Sequence, residues 1–152
     1  MERMIDLVGV QMDFGASKRG VNMGPTAIRY AGLCEGLEHM ASRWKTWVIL
    51  FLPPRVLQAY SENYEQVVDV NRRLYHTVYQ SLKNGHFPVV LGGDHSIAAG
   101  SISAVSKFYG SIGIIWVDAH GDWNNEESSQ TGNMHGMPFS AVCGYGPDCM
   151  VD

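Results

Sequence analysis

The run Pro88-Val89-Val90-Leu91-Gly92-Gly93-Asp94-His95-Ser96 decides the fold. Its apolar residues do not alternate with polar ones, which reads as a strand covered on both faces. Two glycines then allow a tight turn, and Ser96 is placed to cap a following helix. A second run repeats the grammar: Ile114-Ile115-Trp116-Val117 leads into Asp118-Ala119-His120-Gly121-Asp122. In α/β proteins, polar residues directly after a buried strand are where ligands bind.

Working outward, the strand candidates are Ile5–Val10, Thr46–Phe51, Pro88–Leu91 and Ile112–Val117. Helical patterns separate them. One helix is expected to start near Gly24-Pro25, since proline suits a first turn. Another carries Val67, Val70, Leu74, Val78 and Leu82 at steps of three and four and stops at Asn84-Gly85. A third runs from about Ser96 to Tyr109. Strand–helix alternation of this kind builds an α/β fold with a parallel sheet and helices on both sides. No repeat or linker interrupts it, so the chain reads as one domain. From Asp118 onward no further strand candidate appears, and the chain stops without a closing element.

Composition narrows the function. The 152 residues are 45 % hydrophobic and 17 % charged, enough for a buried core. Eleven Lys and Arg against fifteen Asp and Glu leave a formal charge of −4, which argues against nucleic acid as a partner. No apolar run approaches the roughly 20 residues that span a bilayer, so no membrane partner is expected. The N-terminus lacks a signal-peptide pattern, and a cytoplasmic location is the expectation. Cys34, Cys143 and Cys149 form no CxxC pair; reduced thiols, some of them buried, are expected rather than disulfides or a zinc site.

The two strand ends carry the chemistry. Alternate residues of an extended segment point the same way, so Asp118, His120 and Asp122 are expected to converge if that geometry persists. Gathered carboxylates and imidazoles are costly unless a cation joins them. Without thiolates the set suits Mn²⁺, Fe²⁺, Co²⁺ or Ni²⁺, and Zn²⁺ less distinctively. A lone histidine after a strand is more often a structural hydrogen-bonder, and Asp is common in turns. Two such stretches, each after an apolar strand, outweigh that reading. Asp94 is read as orienting a ligand or the turn. Trp116 is read as core, and Trp123 is left open.

The pair GGDHS (92–96) and DAHGD (118–122) resembles the manganese-dependent ureohydrolases: arginase, agmatinase, formiminoglutamase and relatives. Three further stretches resemble arginase more narrowly. They are Arg19-Gly20-Val21-Asn22-Met23-Gly24-Pro25-Thr26-Ala27-Ile28-Arg29, Asp122-Trp123-Asn124, and Thr131-Gly132-Asn133-Met134-His135-Gly136-Met137-Pro138, the last similar to an S-G-N-x-H-G-x-P loop. The resemblance implies a three-layer α/β/α, arginase-like fold, incomplete in this chain. It implies that His95, Asp118, His120 and Asp122 ligate a pair of Mn²⁺ ions, with Asp118 bridging. A metal-bridging hydroxide would then attack the guanidinium carbon of L-arginine, giving L-ornithine and urea. His135 would shuttle protons, while Asn124, Thr131 and Asn133 would bind the substrate α-carboxylate. The complete protein would be a homo-oligomer.

One departure stands out. The family's later S-x-D-x-D-x-x-D-P motif, whose first two aspartates complete the metal pair, is absent. The resemblance further implies that the third and fourth strands are separated by strands from the later half. The chain is therefore expected to be the N-terminal part of one ureohydrolase domain, inactive alone. Two other readings remain open here: a catalytically inert metal-binding or interaction fragment, and another ureohydrolase such as agmatinase.

Overall fold

Strand β1 (Ile5–Gln11) lies between β2 (Trp44–Leu50) and β3 (Phe87–Gly92), and all three run parallel. Ile5 is opposite Trp44 on one side and Phe87 on the other, and Val10 is opposite Gly92. The C-terminal ends of β1 and β3 therefore sit side by side. This computed structural model describes residues 4–40, 43–50 and 63–151.

Residues Asp6–Val10 of β1 are buried, as expected for a strand covered on both faces. Val8 and Val10 pack into one cluster with Val67, Val70, Leu74, Val78 and Leu82 of α3 (Tyr64–Lys83). The residue between them, Gly9, faces the other way. A Cβ there would come within 2.7 Å of the Arg29 guanidinium, just past α1 (Gly24–Ile28). Helical segments thus cover both faces, giving the three-layer α/β/α arrangement.

The α3 stripe is the one its spacing predicts. The helix ends in a Schellman turn: His86 N–H donates to Ser81 O at 3.0 Å and Gly85 N–H to Leu82 O at 2.9 Å. Gly85 sits at φ 74°, which explains the glycine. Helix α4 (Ala98–Tyr109) packs on α3 through Asn71, whose side-chain oxygen accepts the Gly100 N–H at 2.7 Å. That satisfies a first-turn donor that has no partner inside its own helix. Pro25 lies in the first turn of α1, as expected, and α2 (Cys34–His39) follows beyond Gly32 at φ 99°. A short α5 (Pro138–Val142) completes the helices among the described residues.

Three expectations need correction. Residues 112–117 are not a strand in this structure: they join no ladder, and Ile115 and Val117 are 92 % and 90 % exposed. An apolar run becomes a strand only with a neighbour to pair with, and none lies beside it among the described residues. Second, Ser96 is not the cap of α4. Asp94 accepts the Ser96 N–H at 3.0 Å and caps the 3₁₀ turn His95–Ile97 that leads into that helix. Third, the cysteines are free but none is buried: Cys34 is half-buried, and Cys143 and Cys149 are exposed. The predicted strand Thr46–Phe51 begins earlier, at Trp44, and Phe51 lies outside the described residues.

Candidate metal centre

The parallel ends of β1 and β3 fix where the first candidate ligand sits. Gly93 N–H donates to Val10 O at 3.2 Å and Asp94 N–H to Met12 O at 3.0 Å, holding the turn against the loop after β1. A Cβ on Gly93 would lie 2.1 Å from the Met12 carbonyl oxygen, so only glycine fits. His95 follows at the mouth of the sheet. Its ring stacks on Trp116 (centroids 4.5 Å apart, planes at 19°), and Trp116 stacks in turn on Phe139. Trp116 is therefore more than core filling, because it sets the plane of the His95 imidazole.

The other ligands arrive differently from the expectation. Residues 118–120 bend, and Asp118 Oδ1 accepts the backbone N–H of His120 at 2.8 Å, a local turn typical of aspartate. Asp122 is the one described non-glycine residue with positive φ, at 46°. Aspartate visits this region more readily than most residues. The Phe139 and Ser140 N–H groups both donate to the Asp122 carbonyl, at 3.2 and 3.3 Å, and hold the conformation. A bend and a left-handed residue, not extended alternation, aim the two carboxylates at one point.

His95 Nδ1 lies 3.1 Å from Asp118 Oδ2 and 2.8 Å from Asp122 Oδ2. Ligand atoms of these three residues lie within 4.8 Å of one another. Expected ligand His120 is not in this group. It is 81 % exposed and lies on the far side of Asp118, its Nδ1 3.2 Å from Oδ1. The Asp118 carboxylate thus stands between two imidazoles, one oxygen toward each. The His120 N–H bond holds the Asp118 carboxyl below the usual range, with the two imidazoles adding to the effect against a smaller opposing burial.

These residues fit a metal ion. Asp122 Oδ2 is buried and accepts no hydrogen bond from the described residues, although His95 Nδ1 is close by. A single proton on that nitrogen bridges one carboxylate, whereas two face it. Octahedral coordination at about 2.0–2.1 Å puts adjacent donor atoms about 2.9 Å apart, which matches both contacts. Oxygen with imidazole and no thiolate is a donor set for hard or borderline divalent ions.

The predicted substrate and proton-transfer residues lie on the loop after the ligands. His135 is half-buried in the turn Met134–Gly136, and its N–H donates to Gly15 O at 3.0 Å. Asn133 is buried and its amide donates to Ser17 Oγ. Thr131 is exposed, its Oγ1 accepting the Asn133 N–H at 3.3 Å. Asn124 is exposed and donates to Gly136 O at 3.4 Å through its side chain. Trp123 is half-exposed against Phe139 and Tyr145.

The family model described as arginase family matches residues 3–149. The chain belongs to the arginase family. Arginase from Staphylococcus aureus (strain COL) is 46 % identical over 99 % of the chain and 52 % of that relative. The structure of arginase from Bacillus subtilis superposes with a TM-score of 0.91 at 40 % identity, covering 98 % of this chain and 51 % of that one. Arginase from Entamoeba histolytica, solved in complex with L-ornithine, gives 0.87 at 31 %, covering 99 % and 53 %. The chain thus spans about half the length of the arginase relatives it matches. The incomplete α/β sheet agrees with an arginase-like fold, of which part is present here.

Proposed function

We propose that this chain is the N-terminal part of a single ureohydrolase domain that hydrolyses L-arginine to L-ornithine and urea. The convergence of His95, Asp118 and Asp122 carries the reading. A pair of Mn²⁺ ions would be held by those residues and His120, with Asp118 shared. When bound, such a pair supplies Lewis acidity and a water of lowered pKa.

The chain's own residues do the rest. The two oxygens of Asp118 face His95 and His120 separately, the arrangement a shared ligand needs. Trp116 and Phe139 keep the His95 ring in plane and cover one side of it from water. His135, half-buried, exchanges protons between the reacting amine and solvent, a task suited to an imidazole near neutral pH. Asn124, Thr131 and Asn133 offer amide and hydroxyl hydrogen bonds to the substrate α-carboxylate. The L-ornithine named with the Entamoeba histolytica relative is the amino-acid product of this reaction, which supports the substrate assignment.

His120 and Asp118 are too few to hold the second ion. The remaining carboxylates belong to a later segment, which would also pair with residues 112–117. Activity therefore needs the complete protein, which is a homo-oligomer in this reading. A cytoplasmic enzyme fits the acidic chain, in which no helix among the described residues is long and apolar enough to cross a membrane.

Urea release in the presence of Mn²⁺ tests the proposal, with L-arginine and agmatine as alternative substrates. The 152-residue chain is expected to release no urea. The chain completed by a later half is expected to turn over arginine and spare agmatine, which lacks the carboxylate. Faster turnover of agmatine would overturn the substrate assignment.

A further inference from the structure

The loop after β1 touches both halves of the candidate site, and a single buried carboxylate organises that contact. Asp94 is 6 % exposed. Its Oδ1 accepts the Ser96 N–H at 3.0 Å and the Ser96 hydroxyl, and its Oδ2 accepts the Gly15 N–H at 2.9 Å. The same Gly15 peptide offers its carbonyl to His135 N–H at 3.0 Å. Two residues on, Ser17 Oγ accepts from the Asn133 amide. The chain of contacts therefore runs from the His95 turn through Asp94 and Gly15 to the loop of His135 and Asn133. Gly15 is required at its place, since a Cβ would lie 2.7 Å from both Asp94 Oδ1 and Ser96 Oγ.

We propose that Asp94 is a positioning residue that, through the Gly15 peptide, fixes the His95 turn relative to the His135 and Asn133 loop. A helix cap needs only the bond to Ser96. The second oxygen, spent on a loop 79 residues away in sequence, has no capping use. Nor does Asp94 join the ligand group: among the described residues that group is His95, Asp118 and Asp122. Groups that orient metal ligands cost about 10–100-fold in affinity when altered. The inference rests on the metal reading above for its affinity arm alone.

Asp94→Asn tests it, because one of the two accepting oxygens becomes an amide that cannot accept a hydrogen bond. Hydrogen exchange at single amides gives the first readout. The oxygen that Asn keeps still caps Ser96, so the amides of Gly15 and His135 are expected to exchange about ten-fold faster or more, while those of Ser96 and of Val70 and Leu74 in α3 stay unchanged. Titration with Mn²⁺ alone gives the second, and affinity is expected to fall about 10–100-fold. Ser96→Ala, which keeps both backbone bonds to Asp94, is expected to leave both readouts near wild type. If His135 keeps its protection in Asp94→Asn while Gly15 loses it, Asp94 does not position the His135 loop and the proposal fails. If Asp94→Asn does not fold, Gly15→Ala carries the same decision by displacing the carboxylate without changing its charge. Should the wild-type chain bind no Mn²⁺, the metal reading fails, and the exchange at His135 still decides the coupling.

Discussion

His95 Nδ1 lies 2.8 Å from Oδ2 of Asp122, a buried oxygen that accepts no hydrogen bond among the described residues. Two very different pieces of backbone create this contact. His95 sits on a glycine turn pinned to the loop after β1, and Asp122 is held at φ 46° by the first amides of α5. Folds keep a non-glycine residue in that region when its side chain is needed where it points. Asp118 closes the group from a third direction, 3.1 Å from the same nitrogen. Three donors on one point, with one of them otherwise unsatisfied, are an arrangement that could hold a cation.

His135 stands apart from that group. It reaches the site through its backbone bond to Gly15 and is not among the grouped ligand residues. His135→Ala is therefore expected to leave the Mn²⁺ content of the chain unchanged, read by elemental analysis after gel filtration. In a completed, active protein the same change is expected to slow urea release by about 10²–10⁴-fold, the usual contribution of a positioned acid or base. Loss of metal instead would place His135 among the ligands.

The core makes its own prediction. Leu74 is fully buried at the centre of the α3 stripe, against β1. Leu74→Ala removes that contact and leaves a cavity, with an expected cost of about 3 kcal/mol in urea denaturation. A cost below about 1 kcal/mol would show that α3 does not pack on the sheet as described.

Acid stability should depend on Asp6, at the opposite end of β1 from the candidate metal centre. Burial raises its carboxyl pKa, but the Ser81 side chain, the His86 ring at 3.0 Å and the Lys45 ammonium at 3.6 Å outweigh it and leave it lowered. A lowered folded-state pKa means stability present above the unfolded value, near 3.8, and lost as pH falls through the folded value. Thermal unfolding of Asp6→Asn is expected to lose this acid limb, with a flatter slope below about pH 4. An unchanged slope would mean that Asp6 makes no net use of these partners.

Much of this was legible in the sequence, and the reasons differ by residue. The α3 stripe and its glycine stop are local patterns, so spacing alone located them. GGDHS and DAHGD pointed to His95, Asp118 and Asp122, which the structure brings together, because their residue chemistry stands out after apolar runs. The extended reading of Asp118 to Asp122 failed because bends and left-handed residues leave no periodic trace. It misplaced His120 accordingly. Residues 112–117 carry a strand's composition, yet pairing depends on a neighbour that no local pattern supplies. The bond from Gly15 to Asp94 had no signal, since a backbone donor looks the same in every residue. Trp116 read as core because stacking on a ligand ring and packing in a core ask for the same side chain.

The most direct test of the account is Mn²⁺ binding by the purified chain, measured by paramagnetic resonance, beside Asp122→Asn. The Asn side chain keeps shape and tolerates the left-handed backbone, so the fold should survive. The account predicts a single Mn²⁺ site in the wild-type chain, with affinity lowered at least about 100-fold in the variant, the upper end for groups that only orient a ligand. Equal affinity in the two chains would contradict the metal centre at His95, Asp118 and Asp122.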